Sequence, residues 1–153
     1  MKPRIYIDTS VFGGLFDSEF EEFTKPLFDR IHKGEFIVLF SNLTEEELKL
    51  APQNVKSLVN NLELSHTEFI DENAEAIELA NQYIIEKVVG KTSFADCLHI
   101  ALATVSHADY LISWNFKHIV NIDRIRGYNS INLKLGYKAI EIRSPRDLMK
   151  YED

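Results

Sequence analysis

At 153 residues, 45% hydrophobic and 27% charged, the chain has the composition expected of one soluble globular domain large enough to bury a core. A formal charge of −7 argues against holding nucleic acid by phosphate neutralisation alone, because such proteins are basic; a divalent cation or a partner would have to offset the repulsion. The single cysteine, Cys97, excludes an internal disulfide and a cysteine-rich zinc site, and with neither an apolar run near ~20 residues nor a secretory pattern the expected setting is reducing and cytoplasmic, without membrane.

In chain order, Arg4 to Asp8 predicts a short buried strand ending on a carboxylate, followed by Thr9 and Ser10. The acidic run Asp17 to Glu22 predicts the start of a helix to about Lys33, with Phe23, Leu27, Phe28 and Ile31 at helical spacing and Gly34 as its stop. Glu35 to Phe40 is a near-continuous apolar run, as in a parallel strand covered on both faces. Ser41 to Thr44 leads into a helix at Glu45, which Pro52 breaks, and Val55, Leu58, Val59 and Leu62 make a second short one. His66 to Ile70 predicts a third strand, and Asn73 to Val89 an amphipathic helix ending before Gly90. Ser93 to Ser106 is the most apolar helix, Tyr110 to Ile112 a fourth strand, and the region from Asn115 to Gly136 either helical or looped. Ala139 to Ile142 gives a fifth strand, and Ser144-Pro145 reads as the N-cap and first-turn proline of a terminal helix. Strands alternating with helices predict an α/β fold, a central parallel sheet of four to five strands with helices on both faces, as a single domain over residues 1–153. All strand carboxyl ends then share one edge, where ligands bind in such folds.

That edge collects the candidate residues. Asp8 ends the first strand, although a strand-end Asp is equally a capping residue. Glu47 follows the Ser41–Thr44 turn; Thr44 and Glu47 also have capping-box spacing, and Glu46 is an equally acidic neighbour. Asp96 lies in a helix that is apolar nearly all round, where a carboxylate is costly unless paired or metal-bound, or unless Ser93 makes it a first-turn capping residue. His99, three residues on, shares its face, and a hydrogen bond to Asp96 is the favoured role over metal ligand or proton shuttle. Ser113 and Asn115 follow the fourth strand. Like-charged carboxylates brought together raise each other's pKa unless a cation sits among them, and an oxygen-only ligand set favours Mg2+ or Mn2+ over zinc.

Four segments carry a family resemblance: Ile7-Asp8-Thr9-Ser10-Val11, Ser41-Asn42-Leu43-Thr44-Glu45-Glu46-Glu47-Leu48, Ala95-Asp96-Cys97-Leu98-His99-Ile100-Ala101-Leu102-Ala103 and Ala108-Asp109-Tyr110-Leu111-Ile112-Ser113-Trp114-Asn115. In this order and spacing they resemble the PIN domain family, and more closely its VapC-like ribonuclease toxins. The resemblance implies a three-layer α/β/α sandwich and a metal-dependent endoribonuclease, the toxin of a type II toxin–antitoxin pair. It implies Asp8, Glu47 and Asp96 as catalytic residues and ligands of Mg2+ or Mn2+, with Ser10, Ser113, Asn115 and His99 supporting them. RNA is the implied substrate and a small antitoxin protein the implied partner; a homodimer is compatible with the family. The chain departs from the family pattern where an acidic residue often follows the fourth strand: Asn115 stands there, and Lys117 takes a nearby position that is also often acidic. Trp114, Lys117 and His118 are candidates for RNA contact, Trp114 equally for the core.

Two other readings follow from the same residues. Asn115 and the charge of −7 suit a PIN-like module that binds RNA or protein without cleaving. A phosphoacceptor receiver domain also uses strand-end acids, but it needs a Lys after the last strand, where Arg143 stands.

Overall fold

Along β1 (Arg4–Ile7) the side chains alternate between two apolar layers, Ile5 and Ile7 on one side and Tyr6 on the other. In β2 (Ile37–Ser41) Val38 and Phe40 likewise oppose Leu39. Strands sandwiched in this way need apolar side chains at successive positions, which explains their unbroken hydrophobic runs. The computed structural model describes residues 1–87 and 92–150. With β3 (Thr67–Ile70), β4 (Tyr110–Ile112) and β5 (Glu141–Arg143) these strands form one sheet in the order β3-β2-β1-β4-β5. Every pairing is parallel, so all the carboxyl ends lie on one edge.

Helices cover both faces. α1 (Thr9–Gly14), α2 (Glu21–His32), α3 (Asn42–Leu48), α4 (Gln53–Asn60) and α8 (Pro145–Lys150) enclose the layer of Ile5, Ile7, Val38, Phe40 and Ile112. α5 (Ala74–Ile85), α6 (Phe94–Val105) and α7 (Ile122–Lys134) enclose Tyr6, Leu39, Leu111 and Ile142. No helix among the described residues is long and apolar enough to cross a membrane.

The predicted strands and helices are present, with differences of detail; β5 runs Glu141–Arg143 rather than from Ala139, and α3 begins at Asn42 rather than Glu45. α1 is absent from the expectation, because six residues that include two glycines show no helical periodicity. β2 begins at Ile37 rather than Glu35. α2 ends in a pair of turn hydrogen bonds, Gly34 N–H to the Ile31 carbonyl (2.9 Å) and Glu35 N–H to that of Arg30 (3.1 Å), with Gly34 at φ +74°; this left-handed cap takes up the two residues before the strand. α5 stops at Ile85, with Lys87 at φ 57°, while the expected helix end at Val88, Val89 and Gly90 lies outside the described residues. The segment left as helix or loop contains α7, opened by the Asn121 side chain, which accepts from Asp123 N and Arg124 N.

Candidate active site

The carboxyl edge brings Asp8 and Ser113 side by side, because β1 and β4 pair Ile7 with Ile112 one residue earlier. Asp8 stands at the N-cap position of α1, yet its side chain makes no capping bond. Its oxygens instead take two serine hydroxyls: Ser10 donates to Oδ1 and Ser113 to Oδ2, each at 2.6 Å. Those hydroxyls are themselves fixed, Ser10 accepting from Trp114 N (2.9 Å) and Ser113 from Asn115 N (2.9 Å). The capping explanation of Asp8 therefore fails on its own geometry. Asp8 is 4% exposed, and burial raises its pKa above the ordinary aspartate value. The charge of His99 and the two serine bonds oppose the rise, and the nearby Asp96 carboxylate adds to it.

Glu47 escapes its capping explanation too. Ser41, not Thr44, is the N-cap of α3, accepting Thr44 N at 3.1 Å, so no Thr44–Glu47 box forms. Glu47 Oε1 accepts from Thr9 Oγ1 and from His99 Nε2, both at 2.6 Å. Half-burial pushes its pKa up, but the hydrogen bond and charge of His99, with Thr9, outweigh burial and hold it below the usual glutamate value. A carboxylate only accepts, so His99 Nε2 is the donor. The other ring nitrogen, Nδ1, lies 2.7 Å from Tyr6 Oη, which in turn lies 2.7 Å from Ser41 Oγ. Burial keeps the Tyr6 phenol protonated, against the lowering effect of Ser41 and Thr44. A buried chain Ser41–Tyr6–His99–Glu47 thus ties the ends of β1 and β2 to α6 and α3. The expected His99–Asp96 bond is not made. A shared helical face sets direction only along α6, and the imidazole reaches across to Glu47 instead.

Asp96 occupies the first turn of α6, where Ser93 caps its N–H at 3.1 Å, and it is only partly buried. The first-turn reading replaces the buried-carboxylate one, since α6 is less enclosed at this end, where Phe94 is also exposed. Asn115 Nδ2 approaches Asp96 Oδ2 at 3.5 Å, a long contact, while its Oδ1 accepts from His118 N (2.9 Å). Glu46 pairs with Lys49 at 2.7 Å in solvent, which leaves Glu47 as the acid on the site side of α3. Trp114 is buried: it stacks on Phe20 with ring centres 4.4 Å apart and donates from Nε1 to Thr24 Oγ1 at 2.8 Å. That removes it as an RNA contact and puts it in the core. His118 Nδ1 is likewise enclosed, and it has no hydrogen-bond partner among the described residues. Tyr6 and Thr9 belong to the site without having been expected there. The alternation along β1 was the available signal for Tyr6, since it turns that side chain toward α6.

No group of three His, Cys, Asp or Glu side chains is placed to hold a metal ion among the described residues. What the edge does offer is a like-charge pair, Asp8 and Asp96, whose mutual repulsion a hard divalent cation would relieve. Glu47 Oε1 is engaged by His99 and Thr9. The donor chemistry suits Mg2+ or Mn2+ at the pair.

A parallel five-stranded sheet between two helical layers, with acids at its carboxyl edge, is the three-layer PIN-like architecture. Scans against family models and against curated proteins find no match. Solved structures do match. VapC20 of Mycobacterium tuberculosis, described as a sarcin-ricin-loop-cleaving toxin, aligns at 15% identity and a TM-score of 0.57, covering 74% of this chain and 92% of its own. A chain of DNA-bound VapBC from Salmonella typhimurium aligns at 16% identity and a TM-score of 0.59, over 94% of this chain and 98% of its own. A chain of VapBC2 from Rickettsia felis, bound to promoter DNA, gives 14% and 0.56, over 92% and 98%. The chain thus has the VapC-like PIN-domain fold; at these identities the likeness is one of fold.

Proposed function

We propose that the protein is a metal-dependent endoribonuclease of the VapC toxin type, restrained by a small antitoxin. The observation that carries this reading is Asp8: a buried carboxylate held by two serines at the carboxyl edge, with Asp96 close enough to raise its pKa. The neighbour described as a sarcin-ricin-loop-cleaving toxin supports the choice of substrate class, and those described as VapBC support the choice of partner. Asp8 and Asp96 would hold Mg2+ or Mn2+, which supplies a water of lowered pKa and offsets charge on the scissile phosphate. Ser10 and Ser113 fix the direction of the Asp8 lone pairs, so little reorganisation is needed when substrate arrives. Glu47, ionised through His99 and Thr9, adds negative charge beside the pair and can accept a proton from water there. Asn115 orients polar groups near Asp96 without adding charge.

The test is cleavage of RNA by purified protein in Mg2+ or Mn2+, with EDTA and Asp8→Asn as controls. Cleavage that survives both controls refutes the assignment. Two observations favour a second reading, a module that binds without cutting: Glu47 is committed to His99, and Asn115 stands where the family resemblance leads one to expect an acid. Calorimetric titration of Mn2+ separates the two, because the nuclease reading requires binding that depends on both Asp8 and Asp96.

A further inference from the structure

We propose that Phe116, next to Asn115 on the segment that carries Ser113, is a stacking platform for one nucleobase of single-stranded RNA. The proposal rests on the nuclease reading and deepens it by assigning a base-contact subsite. Phe116 belongs to the short segment that serves both acids: Ser113 bonds Asp8, and Asn115 contacts Asp96. The segment is pinned along its length. Asn115 N bonds Ser113 Oγ (2.9 Å), His118 N bonds Asn115 Oδ1 (2.9 Å), and the Asn115 carbonyl accepts from Ile119 N (3.1 Å) and Val120 N (2.8 Å).

The ring is backed as firmly. Trp114 meets it edge-on at 5.9 Å, Phe20 lies 6.4 Å away, and those two rings stack on each other, with Trp114 anchored to Thr24. Phe116 nevertheless remains 48% exposed. An aromatic ring held rigid, wet on one side and carried by the loop that fixes the acids, is preorganised for stacking, since little freedom is lost when a base arrives. Its neighbour Lys117 is exposed and makes no ion pair among the described residues, so a cation stands ready for a phosphate on a chain of net −7. Every base has a π face, so the platform accepts any base but needs one to be present.

The experiment uses the whole chain and a fluorescently labelled single-stranded oligoribonucleotide, with Ca2+ in place of Mg2+ or Mn2+ to hold cleavage back. Anisotropy gives Kd for the wild type and for Phe116→Ala, Phe116→Leu and Phe116→Trp. Ala and Leu are expected to weaken binding about five- to hundredfold and Trp to retain it. All four should melt within a few degrees of one another, because the ring is half exposed. In turnover with Mn2+, Phe116→Ala is expected to raise KM with kcat kept. Equal Kd across the variants, or Leu binding as well as Phe, overturns the platform while leaving a wild type that cleaves RNA intact. A wild type that binds no RNA overturns the platform and the nuclease reading together. A dimer that Phe116→Ala dissolves into monomers would identify the ring as a self-contact and overturn the platform alone.

Discussion

His99→Ala tests whether the buried chain from Ser41 to Glu47 holds the site together. His99 is 2% exposed, packs edge-on against Tyr6 at 5.7 Å and bonds both Tyr6 and Glu47. Removing the imidazole orphans neither partner completely, since Tyr6 keeps Ser41 at 2.7 Å and Glu47 keeps Thr9 at 2.6 Å. The Glu47 side chain is also 34% exposed, so water can replace part of what it loses, and the ion-pair contribution is discounted accordingly. The main cost is therefore the cavity and the lost packing, about 2–4 kcal/mol. For a chain of this length that corresponds to a fall in Tm of roughly 6–12 °C. Glu47→Gln keeps an acceptor at Oε1 and should cost only ~1 kcal/mol. In a double-mutant cycle the two changes should couple by about 1 kcal/mol, because Glu47→Gln removes the charge from the bond that His99→Ala removes outright. Urea unfolding followed by the fluorescence of Trp114, the single tryptophan, gives all four stabilities. A coupling of zero, or a His99→Ala variant as stable as wild type, would refute the reasoning.

Three further outcomes follow from the site and its surroundings. Burial raises the folded-state pKa of Asp8, so its effect on stability is unfavourable once ionised: stability falls as pH rises from the ordinary value of 3.8 through the raised one. Asp8→Asn should remove that fall, leave the metal-free protein no less stable at neutral pH, and abolish the stabilisation by added Mn2+, ~2.7 kcal/mol at a hundred times Kd; thermal melts across pH, with and without the ion, check all three. Glu47 works in the opposite sense, since its depressed value contributes stability that is lost as pH falls below the ordinary 4.5. Separately, a Cβ at Gly14 would lie 2.7 Å from Trp114 Nε1 and 3.0 Å from Thr24 Oγ1. Gly14→Ala should then break the Trp114–Thr24 bond, cost about 1–3 kcal/mol and shift the tryptophan emission, whereas an unchanged spectrum would mean that the helices yield instead.

The sheet was legible because its strands are buried on both faces and therefore read as apolar runs. The position of Asp8 at the strand's end was legible from where the apolar run stops, but its bonds to Ser10 and Ser113 in place of a cap were not. Nor was direction across space. The Thr44 and Glu47 spacing suggested a capping box, and only the path of β2 makes Ser41 the cap and frees Glu47 for His99. His99 lies on the same helical face as Asp96, but helical spacing says nothing about an acid arriving from α3. Trp114 and Phe116 are two residues apart and of similar chemistry, and the local pattern could not say which would be core. The Phe20 ring and the Thr24 hydroxyl, both carried by the distant α2 end, decided it by enclosing Trp114.

The bond from Ser113 to Asp8 spans 105 residues, and its consequence appears during synthesis. β1 is made before the other four strands, yet it is the middle strand of five and can pair on its second side only with β4. A nascent chain therefore carries Asp8 for most of its elongation with Ser113, Asn115 and Asp96 still untranslated or unpaired. Asp8 gains its Ser113 partner only after β4 has been made, so a chain stalled before that point has no assembled site.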